Sequence, residues 1–373
     1  MRYKLLGRSG LRVSEVALGT MTFGTDWGWG SAQAEAKEVF DSFAEAGGTF
    51  LDTANIYQDG NSERMLKEFM GSDRDHFVLA TKYSGEVGGY SRSTGAPEGK
   101  ARANPTASGD ISRSGNSRKN MIRSVEESLK RLGTDFIDLF YLHFWDETTP
   151  VDEVMRSLDD LVSAGKVRYI ALSDTPAWVT AQASTLAQLR GWAPVVAVQV
   201  EYSLVQRTSE REVLPMARAL DLAVVSWAPL GGGALISDPR RTTDTSMVPV
   251  VGSRGLDRSA IPEETAQRYT EIATVVSRVA ESIGAKNAQV ALAWVRQQAD
   301  RFGVVVPILG ARTAAQLDEN IASLGIRLDA DQMEELDRVS EIELGFPLDM
   351  INSQLIRSFK TSGKHHLLDN HRL

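Results

Sequence analysis

The chain has 373 residues, of which 42% are hydrophobic and 24% are charged, and its formal net charge at pH 7 is -8. This composition is ordinary for a globular protein, and the acidic balance argues against nucleic acid or an anionic membrane surface as the main partner. The sequence contains no cysteine, which excludes disulfides, thiolate nucleophiles, iron–sulfur clusters and cysteine-based zinc sites.

The N-terminal stretch "MRYKLLGRSGLRVSEVALGTM" does not have the pattern of a targeting segment. Charges and glycines interrupt it before a long apolar run develops, unlike the apolar centre of a signal peptide. No part of the chain approaches the roughly 18 consecutive apolar residues that a membrane span needs. We therefore expect a cytoplasmic protein without a membrane partner.

The elements follow in chain order as a hairpin and then alternating strands and helices. The hairpin is predicted in "YKLLGRSGLRVSEV". Eight apolar runs with strand character follow: "VALGTM", "TFLDTA", "FVLATK", "IDLFYLH", "VRYIALS", "VVAVQVEY", "AVVSWAP" and "GVVVPIL". Amphipathic stretches such as "SRKNMIRSVEESLKRLG" separate them, with apolar residues three and four apart and a glycine at the end. Eight alternations predict an α/β fold, a closed (β/α)8 TIM barrel with an N-terminal β-hairpin.

An open, doubly wound sheet is the competing architecture. Such sheets usually carry G-x-G-x-x-G between the first strand and helix, and this spacing is absent; "PLGGG" does not supply it. The barrel is therefore favoured. We expect residues 1–345 to form a single barrel domain and residues 346–373 to form a C-terminal extension that ends in a polar tail.

Two long connections follow the third and seventh barrel strands, over residues 83–117 and 231–264. Loops of this length are usually functional or disordered. In a barrel both would lie on the C-terminal face, where active sites form. The alternative is that they are tolerated surface insertions.

Four polar side chains fall at the carboxyl ends of three consecutive predicted strands. Asp52 and Tyr57 follow the second barrel strand, Lys82 ends the third, and His143 ends the fourth. Because the strands of a barrel share one carboxyl edge, we expect these side chains to converge. Taken singly, each has a structural alternative, such as a solvated lysine or a satisfied core histidine.

Together the four side chains suggest proton transfer to a carbonyl group. The reference pKa of tyrosine is about 10, and a neighbouring lysine ammonium would favour the phenolate and so make the phenol a better acid at neutral pH. Asp52 would pair with Lys82 and fix its position. Tyr57 is then the predicted general acid, and a neutral His143 would donate a hydrogen bond that orients the carbonyl oxygen. A hydride donor opposite this acid would complete a carbonyl reduction without a metal.

The same set, in "LDTANIY", "ATKY" and "YLHFWD", resembles the catalytic tetrad of the aldo-keto reductases, which are NADP-dependent, less often NAD-dependent, carbonyl reductases on this barrel. The resemblance spans Tyr3 to about Asn320. It implies cofactor contacts from the ends of several strands. These are Thr20 and Met21 near the nicotinamide ribose; Asp52 as a further cofactor contact; Ser173, Asp174 and Gln199 at the carboxamide; Trp227 stacked on the nicotinamide; Leu230 and Gly231 along the pyrophosphate; and Gly310, Arg312, Gln316 and Asn320 at the adenosine phosphate.

Some of these positions depart from the family pattern. Asp174 stands where asparagine is commoner, and a carboxylate can only accept hydrogen bonds there. Many members have lysine where Gly310 stands and arginine where Gln316 stands, and they use both to hold a 2′-phosphate. Arg312 can still form a bidentate phosphate contact. We therefore expect NADP(H) rather than NAD(H).

The segment "HFWDETTPVDEVMRSLDDLVSAGKVRYIALSDTPAWV" is similar to the aryl-alcohol dehydrogenases within the family. This resemblance implies a small carbonyl substrate, typically an aromatic aldehyde. Trp27, Trp29 and Trp145 lie in predicted loops on the same face and are candidate substrate contacts. Their alternative role is to anchor those loops.

Two other functions remain open. A metal-dependent barrel hydrolase could use His143 and Asp146, but the chain has only five histidines, no metal-ligand spacing is present, and His365, His366 and His371 lie in the tail. We therefore expect no metal site. A cofactor-binding, redox-sensing or regulatory subunit with weak turnover is the second alternative. The sequence carries no signal for an oligomeric state.

Overall fold

A computed structural model describes residues 1–88, 110–240 and 262–369. The strands are β1 (Tyr3–Leu5), β2 (Arg12–Ser14), β3 (Ala17–Gly19), β4 (Phe50–Asp52), β5 (Val78–Tyr83), β6 (Ile137–Leu142), β7 (Val167–Ser173), β8 (Val195–Glu201), β9 (Ala223–Trp227) and β10 (Val305–Gly310). The helices are α1 (Gln33–Glu45), α2 (Asn61–Met70), α3 (Arg118–Leu132), α4 (Val151–Ser163), α5 (Ala177–Arg190), α6 (Val213–Ala219), α7 (Glu263–Ser282), α8 (Asn287–Gln297), α9 (Ala299–Phe302), α10 (Ala314–Ile321), α11 (Ala330–Val339), α12 (Leu348–Asn352) and α13 (Gln354–Thr361).

Strands β3 to β10 form a closed parallel barrel in chain order. Closure is made by β10, which pairs in parallel with both β9 and β3. Each of the eight predicted apolar runs coincides with one barrel strand, although β5 and β10 extend one residue beyond their runs. The prediction of a (β/α)8 barrel is confirmed, and with it the common edge at which all eight strands end.

The barrel strands are apolar on both faces because each face packs against a different part of the core. Neighbouring residues on a strand point to opposite sides. In β9, Val225 belongs to the cluster inside the barrel with Phe50 and Ala171, whereas Val224 packs outward in the cluster that contains Trp294 of α8. Burial on both faces explains why the strands appear as continuous apolar runs rather than alternating ones.

The N-terminal hairpin, also as predicted, is the antiparallel pair β1 and β2. Leu6 and Val13 are fully buried in the cluster inside the barrel. Lys4 Nζ donates to the carbonyl oxygen of Val305 at 2.7 Å, and a Cβ added at Gly7, where φ is +55°, would lie 2.3 Å from the carbonyl oxygen of Val196. Only glycine fits this approach, and the hairpin covers the amino end of the barrel.

Helix α3 shows how the sequence sets the limits of the outer elements. Its N-cap is Ser117, whose hydroxyl accepts from the backbone N–H of Asn120. It ends at Gly133, which has φ 62° and donates its N–H to Leu129 O. The face between these caps packs on the barrel through Met121, Val125, Leu129 and Leu132.

Beyond α11, residues 346–369 hold α12, α13 and a short 3₁₀ turn. Large apolar side chains are exposed there, including Phe346 at 85% and Phe359 at 71%. The division of the chain into a barrel domain and an extension stays a prediction. The described ranges contain no helix with both the length and the apolar character to cross a membrane.

The two long connections leave the barrel after β5 and β9, at the carboxyl ends of those strands. Residues 89–109, 241–261 and 370–373 lie outside the described residues. The middle of the predicted loop after β5 and His371 are among them.

Candidate active site

The carboxyl ends of β4, β5 and β6 bring four buried polar side chains together. Asp52 is the last residue of β4, Lys82 lies in β5, and His143 directly follows β6. Tyr57 reaches the same place from a 3₁₀ turn after β4. Their exposed fractions are 2%, 0%, 7% and 6%, respectively. The predicted convergence is therefore present in the fold, while the catalytic roles remain a hypothesis.

Asp52 and Lys82 form a buried ion pair. Lys82 Nζ lies 2.5 Å from Asp52 Oδ1 and also donates to the carbonyl oxygen of Thr53 at 2.8 Å. The other carboxylate oxygen, Asp52 Oδ2, accepts from Gln199 Nε2 at 2.7 Å. Burial alone would lower the pKa of Lys82, but the Asp52 carboxylate and the Tyr57 hydroxyl outweigh it and raise that pKa above its ordinary value. The lysine is therefore charged at neutral pH.

The hydroxyl of Tyr57 faces this charge. Lys82 Nζ lies 3.4 Å from Tyr57 Oη and 5.0 Å from the centre of the ring. On the other side, the rings of Tyr57 and His143 meet edge to face with centroids 6.0 Å apart. A phenol held between an ammonium and an imidazole can release a proton toward the barrel mouth, since the ammonium stabilises the negative charge that remains.

The carboxamide residues predicted from the resemblance lie at the ends of β7 and β8. Ser173 and Gln199 are register partners, and Ser173 Oγ is buried without a hydrogen-bond partner among the described residues. A buried hydroxyl without a partner is costly, so this atom fits a polar group of a cofactor. Asp174 has φ 41°, and its Oδ1 accepts from the indole N–H of Trp227, the predicted stacking residue, at 3.0 Å.

The predicted ribose and pyrophosphate contacts lie after β3 and β9. The Thr20 hydroxyl donates to the carbonyl oxygen of Asp52 at 3.1 Å, and Met21 packs against the cluster that contains Tyr57. Leu230 is part-buried, and Gly231 begins a turn of three glycines that all have positive φ. This conformation favours glycine and brings backbone close to any ligand above it.

The predicted adenosine-phosphate residues surround the start of α10. Gly310 ends β10 with open space at its Cβ position, and Arg312 is exposed next to it. Gln316 accepts from the backbone N–H of Arg312 at 3.0 Å, and the Thr313 hydroxyl accepts from Gln316 N. Asn320 is buried at 6% exposure. The guanidinium of Arg312 and the positive end of the α10 dipole can meet an anionic group.

Comparison with known proteins decides the family. The family model described as the Aldo/keto reductase family matches residues 15–341. The chain belongs to the aldo/keto reductase family. The recognition made from the tetrad is thus confirmed, and the protein is an oxidoreductase, a carbonyl reductase of the type that uses a nicotinamide cofactor.

Curated relatives match this aldo/keto reductase over nearly its full length. It is 35% identical to a norsolorinic acid reductase of Aspergillus flavus over 363 residues, covering 96% of the chain and 86% of that protein. It is 37% identical to an aryl-alcohol dehydrogenase [NADP(+)] of Phanerodontia chrysosporium, covering 91% of the chain and 85% of that protein. A putative aryl-alcohol dehydrogenase of Saccharomyces cerevisiae is 34% identical, and the match covers 94% of the chain and 89% of that protein.

A hydrogen-bonded set of polar side chains, Ser84, Asn116 and Asp146, holds the backbone at His143, and the sequence did not predict it. We call this set the polar brace. Ser84 is fully buried with φ 135°, and its hydroxyl accepts from His143 N at 3.3 Å and from Asn116 Nδ2 at 2.8 Å. Asn116 and Asp146 exchange two further bonds: Asn116 N donates to Asp146 Oδ2 at 2.7 Å, and Asp146 N donates to Asn116 Oδ1 at 2.8 Å. The brace joins the loops after β5 and β6.

Asp146 belongs to this brace rather than to a metal site. Both of its carboxylate oxygens accept hydrogen bonds, from backbone N–H groups and from the Thr149 hydroxyl. Throughout the part of the chain that the structure describes, no group of three or more His, Cys, Asp or Glu residues could hold a metal ion. Nothing in the described site supports the metal-dependent hydrolase.

Asp146 is expected to make the protein sensitive to acid. Burial would raise its pKa, but N–H donors from Asn116, Thr149 and Thr148 and the Thr149 hydroxyl together lower it. A lowered folded-state pKa gives stability that is present above the unfolded value of about 3.9 and is lost as pH falls through the folded value. Asp146→Asn should reduce the free energy of unfolding at neutral pH by about 1–2 kcal/mol, the size of hydrogen bonds to a charged group after solvent screening of a part-buried side chain.

Urea unfolding at several pH values tests this expectation. The difference from wild type should shrink as pH falls below about 4. The control is Asp135→Asn, which removes an exposed carboxylate in the turn before β6. A difference between Asp146→Asn and wild type that is constant across this pH range would contradict the role of the charge.

Two of the three predicted substrate tryptophans lie at the tetrad. Trp27 is 8% exposed, meets Tyr57 edge to face with centroids 6.4 Å apart, and contacts Trp29 with centroids 5.7 Å apart. Trp145 is part-buried against the outer core cluster, and its backbone N–H donates to the carbonyl oxygen of Asp174. The aromatic wall next to Tyr57 is therefore formed by Trp27 and Trp29.

Proposed function

We propose that the protein reduces aldehydes or ketones, aromatic ones in particular, to alcohols with NADPH, and that Tyr57 is the proton donor. The observation that carries this proposal is the fully buried Lys82 ammonium between the Asp52 carboxylate and the Tyr57 hydroxyl. A buried charge of this kind is costly unless it is paired. Its position beside a phenol at the barrel mouth fits proton transfer better than a structural role.

The chain's own groups account for the movement of the proton. The substrate carbonyl oxygen accepts a hydrogen bond from the Tyr57 hydroxyl and then its proton, and Lys82 stabilises the phenolate that forms. Gln199 holds the second oxygen of Asp52, so the carboxylate stays paired with the lysine. His143, adjacent to the Tyr57 ring, helps to orient the carbonyl oxygen.

The residues of the site fit a nicotinamide cofactor. NADPH, when bound, supplies the hydride that the carbonyl carbon accepts. Ser173 Oγ, which is buried without a partner among the described residues, would accept or donate at the carboxamide. Arg312 and the start of α10 would hold the 2′-phosphate. The printed name of the Phanerodontia relative includes NADP(+), which supports this preference.

The proposed aromatic substrate rests on the wall of Trp27 and Trp29 next to Tyr57. Aromatic rings pair favourably at centroid distances of about 4.5–7 Å. Two relatives are named aryl-alcohol dehydrogenases, which supports the same class. An aromatic aldehyde would place its ring along the indoles and its oxygen at the Tyr57 hydroxyl.

The proposal is tested by NADPH binding and turnover with the purified protein. We expect NADPH to quench tryptophan fluorescence through Trp227, and the absorbance of reduced nicotinamide to fall when benzaldehyde or a substituted benzaldehyde is added. NADPH binding without turnover of any aldehyde would favour the redox-sensing subunit. Absence of binding by either NADPH or NADH would overturn the proposal.

Arg312 should distinguish the two cofactors. If its guanidinium contacts the 2′-phosphate, Arg312→Ala should weaken NADPH binding by about 10–100-fold, because that is the change in affinity expected from the loss of a charge-assisted hydrogen bond. The same variant should weaken NADH binding far less, because NADH has no 2′-phosphate. Fluorescence titration with both cofactors measures this. Arg327→Ala, which removes an exposed arginine after α10, is the matched control. Equal losses for NADPH and NADH would mean that Arg312 does not contact the 2′-phosphate.

A further inference from the structure

We propose that Gln58 is a positioning residue that sets the aromatic selectivity of the pocket by fixing the tryptophan loop, residues 21–30, against Tyr57. The inference rests on the proposed reductase function and adds a residue that none of the site predictions included. Gln58 directly follows Tyr57 in the chain and is fully buried. Its side chain points into the tryptophan loop.

The Gln58 amide holds three backbone groups of that one loop. Its Nε2 donates to the carbonyl oxygens of Met21 at 3.1 Å and Trp29 at 3.3 Å. Its Oε1 accepts from the backbone N–H of Trp27 at 3.0 Å. The two N–H donors and the acceptor of the amide thus connect the start, middle and end of the loop. We call these three bonds the glutamine clamp.

The backbone at Gln58 is strained, because it has a left-handed conformation that residues with a Cβ seldom adopt. Gln58 has φ 48° and ψ 44°, and Asp59 has φ 54° and ψ 38°. This left-handed conformation costs roughly 1–2 kcal/mol for a residue with a Cβ. Glycine would adopt it freely, so the hydrogen bonds of the Gln58 side chain offset a backbone cost that glycine would not have.

The loop packs closely against the Gln58 side chain at Gly24. A Cβ added at Gly24, where φ is +124°, would lie 2.8 Å from Gln58 Cβ and 2.9 Å from Gln58 Cγ. No side chain fits between them, so the loop lies directly on the glutamine. The contact at Gly24 and the three hydrogen bonds of the glutamine clamp together fix the position of the loop relative to Tyr57.

The consequence for the pocket is a fixed pair of indoles. The clamp places the backbone of Trp27 and Trp29, and the indole N–H of Trp27 donates to Asp59 Oδ1 at 3.2 Å. The Trp27 ring then meets Tyr57 edge to face. A flat aromatic carbonyl gains from two rings that are held in place, because it does not need to order them on binding. An aliphatic aldehyde of similar length gains much less.

Gln58→Gly removes the clamp and also relieves the left-handed strain. We expect kcat/KM for benzaldehyde to fall at least about tenfold relative to kcat/KM for an aliphatic aldehyde such as hexanal, with KM moving more than kcat. Gln58→Met keeps the volume without the hydrogen bonds and should shift the selectivity in the same direction. Asp221→Gly, which changes an exposed left-handed residue at the amino end of the barrel, should leave the ratio as in wild type.

Acrylamide quenching of tryptophan fluorescence separates this inference from the proposed function. If the clamp holds the loop, quenching should increase in Gln58→Gly and Gln58→Met, whether or not the wild-type protein reduces any aldehyde. Unchanged quenching in both variants would overturn the inference. In an active enzyme, an unchanged ratio of kcat/KM for benzaldehyde to kcat/KM for hexanal would also overturn it. An equal fall in kcat for both substrates would do the same, because it would mean that Gln58 acts on the position of Tyr57 and not on the tryptophan loop.

Discussion

Replacing Tyr57 by phenylalanine is expected to lower kcat for carbonyl reduction by about 10²–10⁴-fold, the contribution of a positioned general acid. The change removes one oxygen and keeps the ring that packs between Trp27 and His143, so the fold and NADPH binding should be near normal. Steady-state kinetics and fluorescence titration measure the two effects.

A second buried phenol near the same lysine provides the control. The ring of Tyr141 lies 5.8 Å from Lys82 Nζ inside the barrel. Burial, and then the Asp52 carboxylate, raise the pKa of Tyr141 well above its ordinary value, so it holds its proton. Tyr141→Phe should therefore retain most activity. If Tyr57→Phe also retains turnover, Tyr57 is not the acid.

Lys82→Met is expected to remove most activity and to reduce stability together. Without the ammonium, the Asp52 carboxylate remains buried with Gln199 as its side-chain donor, and breaking a buried ion pair from one side typically costs about 3–5 kcal/mol. The phenolate of Tyr57 also loses its stabilising charge. Urea unfolding and the pH dependence of kcat measure the two consequences.

The double variant Asp52→Asn/Lys82→Met separates stability from catalysis. It leaves no uncompensated buried charge, so we expect it to recover much of the lost stability while activity stays low. The folded-state pKa of Lys82 is raised, so the stability that the lysine gives is fully present below its unfolded value of about 10.4 and is lost only as pH rises through the folded value. Recovery of turnover in the double variant would contradict the electrostatic role of Lys82.

The sequence was sufficient for the barrel and for the convergence at its mouth. The barrel strands are buried on both faces, which leaves eight continuous apolar runs, and glycines such as Gly133 mark helix ends because they adopt positive φ. Asp52, Lys82 and His143 converge because parallel strands end at one edge. None of these inferences needs information from distant parts of the chain.

Several features of the site could not be predicted from the sequence, because they depend on contacts between distant residues or on a backbone φ that the residue type does not indicate. Gln58 and Asp59 adopt the left-handed conformation although neither is glycine, and only Gly60, which follows them, marks the turn in the sequence. Asp146 is 30 residues from its partner Asn116, so the brace has no local pattern. Asp174 accepts from Trp227, which lies two strands away, and Trp145 packs on the outer core.

The hairpin at the amino end of the barrel also constrains the order in which the protein assembles. Lys4 bonds to Val305, a separation of 301 residues, and Gly7 packs against Val196. Contacts between such distant residues form late, because a long loop must close first. The hairpin is therefore expected to dock late in folding, once β8 and β10 supply its partners at the amino end of the barrel.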